Sequence, residues 1–283
     1  MTRVGFGEAV GHFSCKKFRD LAMGCDKIAP VMKLTRHAAE PSRPGLNYLA
    51  GFPSLGKRPL VIGVVTSFGE ATQALRFAEK PFDLVEWRLD LTGPGAGGER
   101  WLDRCRELEQ AGIRVLLTIR ASAEGGQWTG TDEERCKLLQ QGLDVVSLVD
   151  LEINSGLLPR VVAAAHAAGK PVIGSFHDFS GTPPRAVLEE VIARGWRAGA
   201  DVVKLAVRLQ AAADLPLLLD LLKSGTPQQP LCVIGMGAPE ARLTLARAGS
   251  CFAYGFLGQS AAPGQIHCTD LWSQLQNAAD GRR

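Results

Sequence analysis

From Pro59 onward, short apolar runs rich in β-branched residues alternate with longer stretches of helical spacing. The runs fall at 60–66 (LVIGVVT), 83–90 (DLVEWRLD), 113–120 (IRVLLTIR) and 145–152 (VVSLVDLE). Four more follow at 171–176 (PVIGSF), 201–207 (DVVKLAV), 231–236 (LCVIGM) and 251–256 (CFAYGF). Good helix formers with apolar residues every three or four positions occupy 70–80, 99–111, 132–142, 157–168, 184–195, 211–223, 239–248 and 270–279. Strands alternating with helices of this length predict βαβ units and a parallel sheet. Eight strand candidates, each followed by a helix candidate, match the count of an α/β (β/α)8 TIM barrel. An open doubly wound sheet is the alternative, and no G-x-G-x-x-G follows the first run to favour it.

Residues 1–57 show no sustained period, mixing isolated apolar residues with Gly, Pro and charge. They are expected to form an N-terminal extension with little regular structure, and 58–283 the barrel as one catalytic domain. The run Gly93–Gly98 (GPGAGG) predicts a flexible loop after the second strand. No strand-loop-helix phosphate motif surrounds it.

Composition narrows the class. With 46% hydrophobic and 22% charged residues, the chain is built to fold. No apolar run reaches the roughly 18 residues that cross a bilayer, and the first thirty lack a signal peptide's apolar core. The net charge of +3 is uneven: residues 1–57 hold nine Lys/Arg and four Asp/Glu, leaving 23 basic and 25 acidic residues in the rest. A body with no basic excess argues against nucleic-acid binding. The seven cysteines (Cys15, Cys25, Cys105, Cys136, Cys232, Cys251, Cys268) are odd in number and form no C-x-x-C pair. They read as reduced thiols of a cytoplasmic protein rather than a disulfide framework. His12, Cys15, Cys25 and His37 are too irregularly spaced for a metal site, so no metal or cofactor is expected.

Charged residues gather where a barrel carries its chemistry, at the C-terminal ends of strands. Glu86 and Arg88 lie two apart in the second run and share a side. Arg120 closes the third, with Glu124 in the following loop; Asp150 and Glu152 end the fourth; His177 and Asp178 follow the fifth. Each has a structural reading: an internal ion pair for Glu86 and Arg88, strand–helix capping for Asp150 and Glu152, a turn for His177 and Asp178. Lys204 is harder to assign to stability, because it interrupts Val202-Val203-Lys204-Leu205-Ala206-Val207, where an ammonium is costly without a partner. A desolvated lysine is a better nucleophile toward carbonyls. Such a lysine can form a Schiff base with a ketone, a nearby histidine can move the acidified proton, and arginines can clamp a carboxylate. Class I aldolases and Schiff-base dehydratases both fit these residues.

The region from about Pro59 to Leu275 resembles the type I 3-dehydroquinate dehydratases, shikimate-pathway enzymes that form 3-dehydroshikimate. The motifs are E-W-R-L-D (86–90), T-I-R-x-x-x-E-G-G (118–126), S-F-H-D-F (175–179), G-A-D-V-V-K-L-A-V (199–207), M-G (236–237) and A-P-G-Q (262–265), in the family's order. The resemblance implies a Schiff base on Lys204, with His177 as general base for the C2 proton and then acid for the departing C1 hydroxyl. Glu124 would orient His177. Glu86, Arg88 and Arg120 would bind ring hydroxyls and neighbouring charges, Arg242 the carboxylate, and Met236 would pack against the ring. Gln265 would close over the substrate from the last loop. It also implies a metal-independent homodimer acting on a small molecule, 3-dehydroquinate, with no nucleic-acid or membrane partner. Three positions depart from the pattern. Met236 to Arg242 is shorter than usual, with Ala241 before the arginine. Tyr254, among the substrate-binding positions, stands where Phe is usual. Ala261 stands where a substrate-contacting Ser is usual, with Ser260 beside it. The alternatives are another class I Schiff-base barrel of aldolase type, or a non-catalytic barrel that binds a carboxylated ring.

Overall fold

Strand β1 (Leu60–Val65) is buried along its whole length, as a strand packed on both faces must be. Its side chains divide by parity: Leu60, Ile62 and Val64 join one apolar cluster, Val61 and Val65 another. The first cluster also holds Leu84, Leu116, Leu148, Ile173, Val202 and Phe252, the inward residues of other strands. The second is larger and fills the space between strands and surrounding helices. These coordinates are a computed structural model and describe residues 58–93 and 100–279. The N-terminal extension expected over 1–57 and positions 94–98 of the glycine-rich loop lie outside the described residues.

After β1 come α1 (Phe68–Arg76), β2 (Leu84–Arg88), α2 (Leu89–Thr92), α3 (Arg100–Gln110) and β3 (Arg114–Thr118). A 3-10 turn (Ser122–Glu124) precedes α4 (Asp132–Leu143), β4 (Leu148–Glu152), α5 (Leu158–Ala167), β5 (Val172–Asp178), α6 (Arg185–Arg197) and β6 (Val202–Arg208). The chain continues through α7 (Asp214–Leu222), β7 (Leu231–Met236), α8 (Pro239–Arg247), β8 (Phe252–Phe256), β9 (Ile266–His267) and α9 (Cys268–Ala279). The strands form a parallel, curled sheet in the order β7-β6-β5-β4-β3-β2-β1-β8-β9, the α/β barrel architecture that the pattern predicts. The ring meets itself between β7 and the start of β8, where the Cys251 N–H donates to the Leu231 carbonyl at 2.9 Å. Beside that bond, the Val233 N–H donates to Ser250 Oγ at 2.9 Å.

The structure redraws several boundaries. The second run stops being strand at Arg88, because Leu89–Thr92 coil into a short helix that returns the Asp90 carboxylate to Arg88. The fifth strand runs two residues longer than the apolar run, so His177 and Asp178 belong to β5 itself. Helix α1 starts at Phe68, since Ser67 Oγ accepts from the Glu70 N–H at 3.2 Å and caps it. The two-residue β9 has no signal in the pattern. It can lie against β8 because Gly255 has no side chain: a Cβ there would come within 2.9 Å of Cys268 Cα. Among the described residues, no helix is long and apolar enough to cross a membrane.

Candidate active site

Lys204 points into the barrel for the same reason that Val202 and Ala206 do: alternate residues of β6 share a face. It is 4% exposed, and its Nζ lies 3.1 Å from Asp150 Oδ2 and 4.4 Å from the centre of the Tyr254 ring. The partner that a buried ammonium requires is therefore supplied from β4, two strands away. Asp150 is itself held from its other oxygen, by Arg120 Nη2 at 2.6 Å and by the Ser175 hydroxyl at 2.6 Å. Burial pushes its carboxyl up, but Arg120 and then Lys204 outweigh this and hold it at about 2.

Glu152, two residues on and facing the same way, accepts from Arg120 Nη1 at 3.0 Å, Arg135 Nη1 at 2.7 Å and the Ala121 N–H at 2.9 Å. Asp150 and Glu152 thus do not cap the strand–helix junction. They balance three buried cations, Arg120, Arg135 and Lys204.

His177, near the end of β5, is placed by Glu124. The imidazole Nδ1 is 3.1 Å from Glu124 Oε2, and the same oxygen accepts the His177 backbone N–H at 2.9 Å. Asn154 Nδ2 donates to the other oxygen at 3.2 Å. Glu124 reaches this position from the 3-10 turn, which Gly125 ends in the left-handed region at φ 78°. Burial raises the Glu124 carboxyl to about 7 against the pull of Arg120. Burial also lowers the His177 imidazole well below its ordinary value, aided by the charges of Arg120, Lys204 and Arg88. An ionised Glu124 can only accept, which puts the ring proton on Nδ1 and leaves Nε2 as the base.

On β2, Glu86 accepts from the Thr118 hydroxyl at 2.8 Å, and Arg88 is gripped by both Asp90 oxygens at 2.9 and 2.7 Å. Arg242 in α8 donates from Nη2 to the Pro263 carbonyl at 2.9 Å, and burial lowers its guanidinium to about 10. Met236 ends β7 and Tyr254 lies on β8, both buried. In the loop after β8, Gln265 Oε1 accepts the Ala261 N–H at 2.9 Å. The loop's first turn is anchored by Glu70, which accepts the Gln259 N–H at 3.0 Å and the Thr66 N–H at 2.6 Å.

Most of these side chains border one open cleft. The structure brings Lys204, His177, Glu124, Glu86, Arg88, Arg120, Met236, Arg242, Tyr254, Ala261 and Gln265 to its walls. Ser260 is not among them: it is exposed, and its hydroxyl donates to the Ala262 carbonyl at 2.9 Å. Sequence reasoning undervalued Asp150, Glu152, Ser175 and Arg135. The available signal was an alternate-residue pair of acids on a strand facing the interior, in a chain that also buries an arginine and a lysine there. Among the described residues, no group of three or more His, Cys, Asp or Glu could hold a metal ion.

The model of the type I 3-dehydroquinase family matches residues 61–280. The chain belongs to that family. It is 34% identical over 226 residues to the 3-dehydroquinate dehydratase of Methanosarcina mazei, covering 75% of this chain and 91% of that one. It is 35% identical over 223 residues to the 3-dehydroquinate dehydratase of Methanosarcina acetivorans, with 75% and 91% covered. The crystal structure of 3-dehydroquinate dehydratase from Geobacillus kaustophilus superposes with a TM-score of 0.71 at 27% identity, over 80% of this chain and 93% of that one. The type I enzyme of Clostridium difficile, solved with covalently modified comenic acid, gives 0.70 at 26% identity over 79% and 94%. A type I 3-dehydroquinase is a hydro-lyase.

Proposed function

We propose that residues 58–283 form the catalytic domain and dehydrate 3-dehydroquinate to 3-dehydroshikimate through a Schiff base on Lys204. The observation that carries this reading is that Lys204 and His177 line one cavity, each backed by its own carboxylate. The lysine amine adds to the ring ketone and loses water to give an imine, which acidifies the neighbouring carbon. Nε2 of His177 takes that proton, and the resulting enamine expels the C1 hydroxyl, which leaves as water with the proton from His177. Hydrolysis of the imine then frees Lys204. Asp150 balances the iminium that replaces the ammonium, while Glu124 holds the imidazole in the tautomer that accepts at Nε2. Glu86, Arg88 and Arg120 face the ring, Arg242 takes the carboxylate, Met236 packs on the ring face, and Gln265 closes from the loop. The covalent ligand on the Clostridium difficile enzyme supports a covalent route. The five described cysteines are buried free thiols, consistent with work in the cytoplasm.

Borohydride reduction of a sample incubated with 3-dehydroquinate, followed by peptide mapping, tests the mechanism. The expected adduct is on Lys204. An adduct on exposed Lys223 or half-buried Lys170, or none at all, would overturn it.

A further inference from the structure

The Glu124 carboxylate takes three hydrogen bonds from the described residues: Oε2 accepts from the backbone N–H and Nδ1 of His177, and Oε1 from Asn154 Nδ2. A proton on Oε1 would set a donor against the Asn154 donor, so this bond favours the ionised acid. What makes Asn154 a donor there is the residue behind it. An amide has one accepting oxygen and one donating NH2, and arginine can only donate. Arg194, in the last turn of α6, directs Nη2 at Asn154 Oδ1 from 2.8 Å, which turns the NH2 toward Glu124. The chain Arg194–Asn154–Glu124–His177 thus runs from a surrounding helix to the base in the cleft.

Asn154 is exposed just past the end of β4, so packing gives no reason for an amide at that position. Arg194 is half-buried, and its Nε is buried without a partner among the described residues. The charged groups acting on the Glu124–His177 pair are Arg120 just past β3, Glu152 from β4, Lys204 from β6 and Arg88 from β2. The three cations spend their hydrogen bonds elsewhere: Arg120 on Asp150, Glu152 and Ser175, Lys204 on Asp150, and Arg88 on Asp90. They reach the pair through space alone. Burial raises the Glu124 carboxyl, and the Arg120 charge and the Asn154 bond both oppose it.

We propose that Asn154 and Arg194 are positioning residues of this enzyme: Arg194 fixes the Asn154 amide, and Asn154 holds Glu124 ionised and in place behind His177. The inference rests on the reading above that the Glu124–His177 pair moves the substrate proton. It extends the machinery of the base by two residues that touch neither the substrate nor the imidazole, and it reaches α6, an element with no side chain in the cleft.

The pH dependence of kcat/KM with 3-dehydroquinate tests it. Asn154→Leu removes the donor at similar volume, so the rising limb should move to higher pH by about half to one unit. At about pH 6 kcat/KM should then fall about three- to tenfold, with the plateau at high pH within about twofold. Asn154→Asp keeps the shape and the bond to Arg194 but sets a second carboxylate against Glu124, so it should move the limb at least as far. Arg194→Met should give a smaller shift of the same sign, Arg194→Lys should restore the limb, and Arg194→Met should add nothing in an Asn154→Leu background. An unmoved limb in Asn154→Leu, even with a lowered melting temperature, would overturn the proposal. So would wild-type behaviour of Asn154→Asp, or an Arg194→Met shift of equal size in both backgrounds, which would make the arginine a through-space charge. Nitrogen NMR of the His177 ring follows the same titration without substrate. In a wild type that traps substrate on Lys204, an unmoved limb and ring titration defeat only this inference. A wild type that traps none defeats the dehydratase mechanism, and the ring titration alone then decides the relay.

Discussion

Nζ of Lys204 and Oδ2 of Asp150 lie 3.1 Å apart across 54 residues of sequence, in a barrel interior where both groups are nearly inaccessible to water. Asp150→Asn keeps the shape of the side chain and removes its charge. Arg120 retains Glu152, but Lys204 is left without its counter-ion. Breaking a buried pair costs about 3–5 kcal/mol. The expected outcome is a loss near the lower end of that range in urea denaturation, together with reduced trapping of substrate on Lys204. A variant as stable as the wild type would show that the charge is dispensable.

The Glu124–His177 pair sets a pH dependence whose two halves have opposite signs. Glu124 stands at about 7 in the folded chain against 4.5 when free, so the stability it contributes is full below 4.5 and is lost as pH rises through about 7. His177 is lowered from 6.5, so its contribution is present above that value and is lost as pH falls. For catalysis, the ionised carboxylate is the form that accepts the Nδ1 proton. The rate constant kcat/KM should therefore climb with pH and level off above about 7. In Glu124→Gln that limb should flatten, with kcat lower by about ten- to a hundredfold. A pH–rate profile that keeps the limb in the variant would assign it to another group.

The loop after β8 gives a prediction with three arms. Ser260 is turned to solvent and spends its hydroxyl on Ala262, so Ser260→Ala should leave KM where it is. Ala261 lines the cleft, so Ala261→Ser should tighten apparent substrate binding by up to about tenfold. Gln265 has its oxygen engaged by the Ala261 N–H, which leaves its amide hydrogens for the ligand. Gln265→Ala should raise KM by about two- to tenfold. Wild-type kinetics in that last variant would mean that the loop does not meet the substrate.

Much of this architecture was legible in the order of residues. Strands buried on both faces announce themselves as continuous apolar runs, and the lysine that interrupts one of them, Lys204, is a residue the fold turns into the cleft. The position of His177 was also legible, although an apolar run ends where its polar residues begin, and so the reach of β5 to Asp178 was not. Pairings were hidden for a different reason. The partners of Asp150 come from residues 25, 30 and 54 positions away, and only the register of adjoining strands brings them together. A local reading therefore gave Asp150 and Glu152 a capping role. The loop was opaque at finer grain: whether Ser260 or Ala261 faces the cleft depends on turn geometry over a few residues, which no periodicity encodes.

The meeting of β7 with β8 has a consequence of its own. Each neighbouring pair from β1 to β7 is sewn by a ladder, while the ends of the ring are fastened by the Cys251–Leu231 bond and the Ser250 hydroxyl. Arg242 follows β7, Tyr254 rides on β8 and both line the cleft, so the cleft itself spans the join like a clasp on a hoop. Native-state hydrogen exchange is expected to find the amide protons of Val233 and Cys251 less protected than those of β4, because this join has the fewest bonds to break.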